Sequence, residues 1–163
     1  MKLIPYENIN YETQLESVEV INKVKRVIKP PRIIRFFSID DSKPYEGKVY
    51  ENHFKINRII SYRNSFLPII YGTVSNENNK TKINIKIKIH VFVKVFMIIW
   101  LGGVSLAFLI GLMTAILTMK LSYFLFLTMA MLIFGYVMMT VAFKFESKKA
   151  KKFLEKLLML KPE

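Results

Sequence analysis

Proton transfer or metal ligation would fall first to Asp40, Asp41, His53 and His90. The two adjacent acids sit in a turn signal, Asp40-Asp41-Ser42-Lys43-Pro44, where carboxylates are solvated and no histidine stands nearby to complete a ligand set. His53 and His90 lie far apart, and His90 falls among lysines on the polar face of an alternating stretch. A histidine there changes charge with pH beside an anionic surface but has no partner for catalysis. Neither H-E-x-x-H nor G-x-S-x-G occurs, and four of the six glycines lie in apolar runs rather than in a phosphate-cradling loop. The chain has no cysteine, which removes thiolate metal sites and disulfides. The expectation is a non-enzymatic protein with no catalytic residues, no cofactor and no metal ion.

Binding chemistry is better represented. Tyr62, Arg63 and Asn64 stand side by side between Ser61 and Ser65, a set suited to a phosphate or a carboxylate, and the first choice for a ligand or partner loop. The plainer reading is a strand connection whose side chains cap backbone groups. Lys86, Lys88, Lys94, Lys148, Lys149, Lys151 and Lys152 flank the apolar runs and are the candidate contacts to anionic lipid. Within the runs, Gly103, Ala107, Gly111 and Ala115 repeat every four residues, and Thr128, Gly135 and Ala142 every seven. Small side chains let helices approach closely where lipid already solvates leucine, so these two stripes are the expected helix–helix contact.

The elements that must carry these residues follow from where charge is missing. In a chain of 163 residues with a net charge of +13, residues 95–119 hold no charged side chain, and after Lys120 neither do residues 121–143. Each exceeds the ~20 residues needed to cross a ~30 Å hydrocarbon core. A continuous helix over both would far outrun the bilayer, so the expectation is a hairpin: spans at 95–119 and 123–143 with a short turn at 120–122. A buried helical pair in a soluble protein would need far more surrounding chain. Five lysines precede the first run within 15 residues, seven follow the second, and Lys120 alone marks the turn. Positive charge stays inside, which places both termini in the cytoplasm. The start, MKLIPYENIN, has no apolar stretch of signal-peptide length. The glycosylation-like triplet Asn79-Lys80-Thr81 would then never meet the glycosylation machinery.

Residues 1–94 read as a cytoplasmic α+β domain of one helix and an antiparallel sheet. Tyr6 to Thr13 suggests a first strand. Thr13 and Glu16 have the spacing of a capping box, opening a helix to about Lys29 with Leu15, Val18, Ile21, Val24 and Ile28 on its buried face. Pro30 and Pro31 stop it. Strands are expected at 32–38, at 48–51 paired with 54–60 around Asn52 and His53, and at 67–74, with a polar loop over 76–80. The clearest runs from Thr81 to Val95, isoleucine and valine alternating with mostly polar residues, and leads without a linker into the first span. After the second span, residues 144–163 read as a basic amphipathic juxtamembrane helix with Ala150, Phe153, Leu154, Leu157 and Leu158 on one side. It suits an anionic headgroup surface, or packs on the domain or on another subunit.

The stretch KPYEGKVYENHFKINRIISYRNSFLPIIYG resembles a set of uncharacterised small bacterial membrane proteins through Gly47-Lys48-Val49, Phe54-Lys55-Ile56, Arg58-Ile59-Ile60, Tyr62 to Pro68 and Gly72. The resemblance covers roughly residues 5 to 110. It implies a membrane-attached α+β domain without an assigned activity, and it singles out Tyr62 to Pro68. The function expected is a membrane-tethered interaction or sensing module, or an accessory subunit of a membrane complex, with anionic lipid and other membrane subunits or itself as partners. A pore-forming effector whose hairpin oligomerises is the alternative. Nucleic acid ranks last as a partner, although Phe92 beside the lysines has the look of a stacking platform.

Overall fold

The structure is a computed structural model that describes residues 4–30, 43–60, 62, 64–77 and 80–162. The chain runs β1 (Tyr6–Thr13), α1 (Ser17–Val27), β2 (Ile28–Lys29), β3 (Tyr45–Val49), β4 (His53–Arg58), β5 (Pro68–Glu77), β6 (Lys80–Ile89), α2 (Val91–Thr118), α3 (Tyr123–Leu158) and β7 (Lys161–Pro162). The strands form one sheet in the order β2-β3-β4-β5-β6-β1-β7. All neighbours are antiparallel except β2 and β3, whose short pairing is parallel, so the sheet is mixed rather than purely antiparallel. An α+β domain is thus fused to a pair of long apolar helices. The strand expected over 32–38, with Asp40 and Asp41, lies outside the described residues.

Period-two patterning sorts the sheet into two faces. Ile83, Ile85, Ile87 and Ile89 of β6 point to one side with Ile70 and Val74 of β5, Phe54 and Ile56 of β4 and Tyr11 of β1, all buried. Among the described residues the helices pack on this side. Gly72 of β5 is required there: a Cβ would stand 2.0 Å from the Phe54 ring.

α1 begins one residue past Glu16, and the capping box does not form. The Thr13 hydroxyl instead accepts from the Leu15 amide and donates to the Leu158 carbonyl, because β1 delivers it to the end of α3. The helix stops at Val27, and its buried stripe is Val20, Ile21 and Val24, while Val18 is 69 % exposed. The strand expected to reach Val95 ends at Ile89. From Val91 the same alternation is wound into α2. His90 makes the change: its Nδ1 accepts from the Phe92 amide and caps the helix.

The two long helices join through Met119, which takes the left-handed conformation (φ 52°), and Ser122, which caps α3 by accepting from the Phe124 amide. The juxtamembrane helix expected at 144–163 is not a separate element. α3 runs unbroken for 36 residues, and the apolar stripe of its second half, Ala150, Leu154 and Leu158, is buried in the core of the sheet domain. The domain boundary drawn at residue 94 therefore fails in space, because the sheet borrows the end of α3 to complete its core.

Candidate functional site

At the point where α3 changes from apolar to basic, Glu146 is buried to 1 % exposure. Arg58, the last residue of β4, donates through Nη1 to Glu146 Oε2 at 2.9 Å, and the Tyr62 hydroxyl donates to Glu146 Oε1. Lys149 adds a weaker pair at 3.9 Å, one helical turn away. A carboxylate removed from water needs such partners, and the two cations and one hydroxyl around it supply them. The hydrogen bond to Glu146, followed by burial, holds the Tyr62 hydroxyl above its ordinary range. Tyr45, paired across from Arg58, is pushed up to about 12, chiefly by burial. The cluster fastens β3, β4 and the loop before β5 to the base of the long helix.

Of the expected ligand loop, Tyr62 thus belongs to this cluster. Asn64 accepts from the Phe66 amide, as a turn-capping asparagine does, and Arg63 lies outside the described residues. Tyr62 and Asn64 border an open groove of about 800 Å³ that continues up one face of α3 past Phe145, Val141, Phe134 and Ala130. Glu146 escaped the sequence reading. Its signal was present, as the only acid in the run Lys144 to Lys152.

The seven candidate lipid lysines divide into three places. Lys86 and Lys88 stand on the sheet face away from the helices, Lys94 in the first turns of α2, and Lys148, Lys149, Lys151 and Lys152 on the part of α3 that lies against the domain. Three are engaged within the chain: Lys151 with Glu7 at 2.7 Å, Lys149 with Glu146 and over the Phe145 ring at 3.9 Å, and Lys88 over the Tyr71 and Tyr6 rings. At the other end of the packed segment, Tyr11 donates to Glu155 at 2.8 Å, and burial together with that carboxylate raises its pKa.

The small-residue stripes meet only in part. Gly111 packs under Phe124 and Leu125, and a Cβ on Gly135 would stand 2.3 Å from the Trp100 ring, so these two glycines close the hairpin. Thr128 is buried and Ala142 packs against the core, whereas Gly103 has open space where a Cβ would be. Ala107 and Ala115 are half-buried. The difference is helical phase: a four-residue repeat advances about 40° per step and winds out of the contact, while a seven-residue repeat slips only ~20°.

Both long helices meet the length and composition needed to cross a membrane. Only 11 % and 22 % of their most apolar stretches are buried within the chain, unlike the core helices of a soluble protein. Among the described residues no group of three or more metal-ligating side chains occurs. The fold and the cluster together define an α+β sheet domain built around the end of a two-helix apolar hairpin, compatible with a membrane protein. Compared with protein-family models, curated proteins and solved structures, the chain matches none.

Proposed function

We propose that this chain is a non-enzymatic integral membrane protein, a tethered interaction or sensing module that serves as an accessory subunit of a membrane complex. The observation that carries the reading is α3, whose apolar first half continues without a break into the core of the sheet domain. At ~1.5 Å per residue its 36 residues span ~54 Å, so a stretch crossing ~30 Å of hydrocarbon leaves the remainder to build the domain. A tilt or shift of the spans is then felt directly by the sheet, with Arg58, Glu146 and Tyr62 as the fastening. Lysines on both sides of the hairpin and a single one at its turn favour the domain and both ends of the chain on the cytoplasmic side of a bacterial inner or equivalent membrane. Lys94 and Lys148, exposed and next to the spans, are the best placed to meet anionic headgroups.

The test is membrane integration with topology. The protein should stay in the membrane pellet through high-salt and urea washes. Reporters fused at either end should be active inside, and one inserted at Lys120 outside. Release by those washes, or an end exposed outside the cell, would overturn the proposal. Leakage of dye from vesicles holding the intact protein would replace it with the pore-forming alternative.

A further inference from the structure

The second face of the sheet carries charge. Among the described residues no helix covers it, and its β3 to β6 positions include Lys48, Lys55, Lys86 and Lys88. Lys48 stands directly opposite Lys55, and the same row continues through Tyr71 to Lys86. Like charges directly opposite on neighbouring strands destabilise a sheet. Among the described residues no carboxylate lies within ion-pair distance of any of these four. By contrast Lys80, farther along the same sheet, pairs with Glu12 at 2.8 Å. The four lysines thus form a positive row without an ion pair among the described residues, and Glu46, on the same face of β3, accepts from Asn57 at 2.8 Å.

Three occupants are disfavoured by what surrounds the patch. A second copy of the chain brings its own net charge of +13 and would be repelled. A lipid surface is disfavoured because α3, which continues from the apolar hairpin, packs on the opposite face of the sheet. For nucleic acid, the Tyr71 and Tyr6 rings of this face are already engaged: Tyr71 lies under Lys55 and Lys88, at 5.5 and 5.4 Å, and Lys88 is also 5.7 Å from the Tyr6 ring. Those contacts steady the ammonium groups but occupy the rings on which bases would stack.

We infer that the outer face around Lys48, Lys55, Lys86 and Lys88 docks an acidic segment of a partner protein. The inference rests on the reading of the chain as a membrane-held interaction module and supplies the chemistry of its partner. Lysines act as point charges with freely turning donors, so the face selects carboxylate density rather than the fixed geometry that an arginine fork would impose. Binding is therefore strongly salt-dependent.

The experiment uses the full chain in a zwitterionic detergent, with a fluorescent glutamate-rich peptide as probe. A thymidine oligonucleotide of equal charge and detergent micelles doped with anionic lipid serve as competitors. The peptide should bind at low salt and be released as salt rises. Lys48→Gln, Lys55→Gln, Lys86→Gln and Lys88→Gln combined should weaken it roughly tenfold or more. Removing the same number of charges as Lys25→Gln, Arg26→Gln, Lys144→Gln and Lys156→Gln should change it less than about threefold. Thermal melting of the first variant should match or exceed that of the parent, since like charges are relieved. Equal loss in both variants, no salt-sensitive peptide binding, or tighter binding of the oligonucleotide or the lipid would overturn the inference. A protein that stays membrane-integrated yet ignores the peptide loses this inference and keeps the function proposed above.

Discussion

The two halves of α3 share one helix and obey opposite rules. From Tyr123 to Ala142 the helix is apolar nearly all round, with Phe134 68 % and Val141 60 % exposed, as a lipid-facing surface allows. From Phe143 to Leu158 the apolar residues narrow to a stripe, Phe143, Ala150, Leu154 and Leu158, each 2 % exposed or less, with lysines elsewhere. The first half is held by its surroundings and by a few close contacts to α2. The second is held by the sheet. Exposed apolar surface therefore means different things 15 residues apart on one element, and the change of rule falls at Glu146.

Truncation should expose this difference most strongly. Leu154→Ala removes a fully buried side chain from the sheet core and should cost about 3 kcal/mol of domain stability. Phe134→Ala, a larger deletion in the first half, should move the same unfolding transition by less than about 0.5 kcal/mol. Thermal or denaturant unfolding in detergent, followed by far-UV circular dichroism, measures both. Equal effects would mean that the domain does not depend on the second half in particular.

At the changeover itself, Glu146→Ala leaves the Arg58 guanidinium and the Tyr62 hydroxyl without their shared acceptor. Breaking a buried pair from one side costs ~3–5 kcal/mol, but Arg58 is 30 % exposed and can rehydrate, so about 2 kcal/mol is expected. Glu146→Gln keeps one acceptor oxygen, enough for one of the two donors, and should lose less than Glu146→Ala. If Glu146→Ala melts like the parent, the cluster does not fasten the domain to the helix.

Much of this architecture was legible in the residues. β1 runs over the expected Tyr6 to Thr13, because its alternation and the polar turn after it agree, and the β3–β4 hairpin falls around Asn52 and His53 as expected. The apolar hairpin was legible from length and charge alone. The β6–α2 boundary was not, since Ile83 to Val95 keeps one period through a change of structure, and His90 looked like a surface residue rather than a cap. The continuity of α3 had a trace, the absence of glycine and proline from Tyr136 to Leu160, but a change of composition looked like a change of element. Arg58 and Glu146 are 88 positions apart, and a pair at that distance leaves no spacing signal. The like-charge row across β3 to β6 needed the strand order and register, which alternation within single strands does not give.

Alkaline pH should act on the second half and leave the first alone. Tyr45, with its ring 4.7 Å from Phe153, is buried neutral, and its pKa is raised from an ordinary value near 10 to about 12. Tyr11, hydrogen-bonded to Glu155, is shifted in the same direction. Above pH 10 the unfolded chain sheds these phenolic protons while the folded chain keeps them. The stabilisation is thus complete below pH 10 and is lost as pH rises toward about 12. Unfolding curves across that window should fall by on the order of 2 kcal/mol in the parent and by less in Tyr45→Phe. Helix content of the apolar hairpin should persist in detergent after the sheet has melted.

α2 supplies the smallest effect and the sharpest contrast. It continues from the sheet through His90, whose Nδ1 accepts from the Phe92 amide, and adds Met97 to the buried core, whereas α3 enters the domain through a whole amphipathic half. Loss of a helix cap costs ~1 kcal/mol. His90→Ala should therefore lower domain stability by about 1 kcal/mol, and His90→Asn, which keeps a capping acceptor, should restore most of it. If the spans and the sheet are coupled mainly through α3, His90→Ala will leave the effects of Leu154→Ala and Glu146→Ala unchanged in double variants, within the ~0.5 kcal/mol expected of independent sites. A larger coupling energy would make the β6–α2 junction a second mechanical link and weaken the contrast between the two helices.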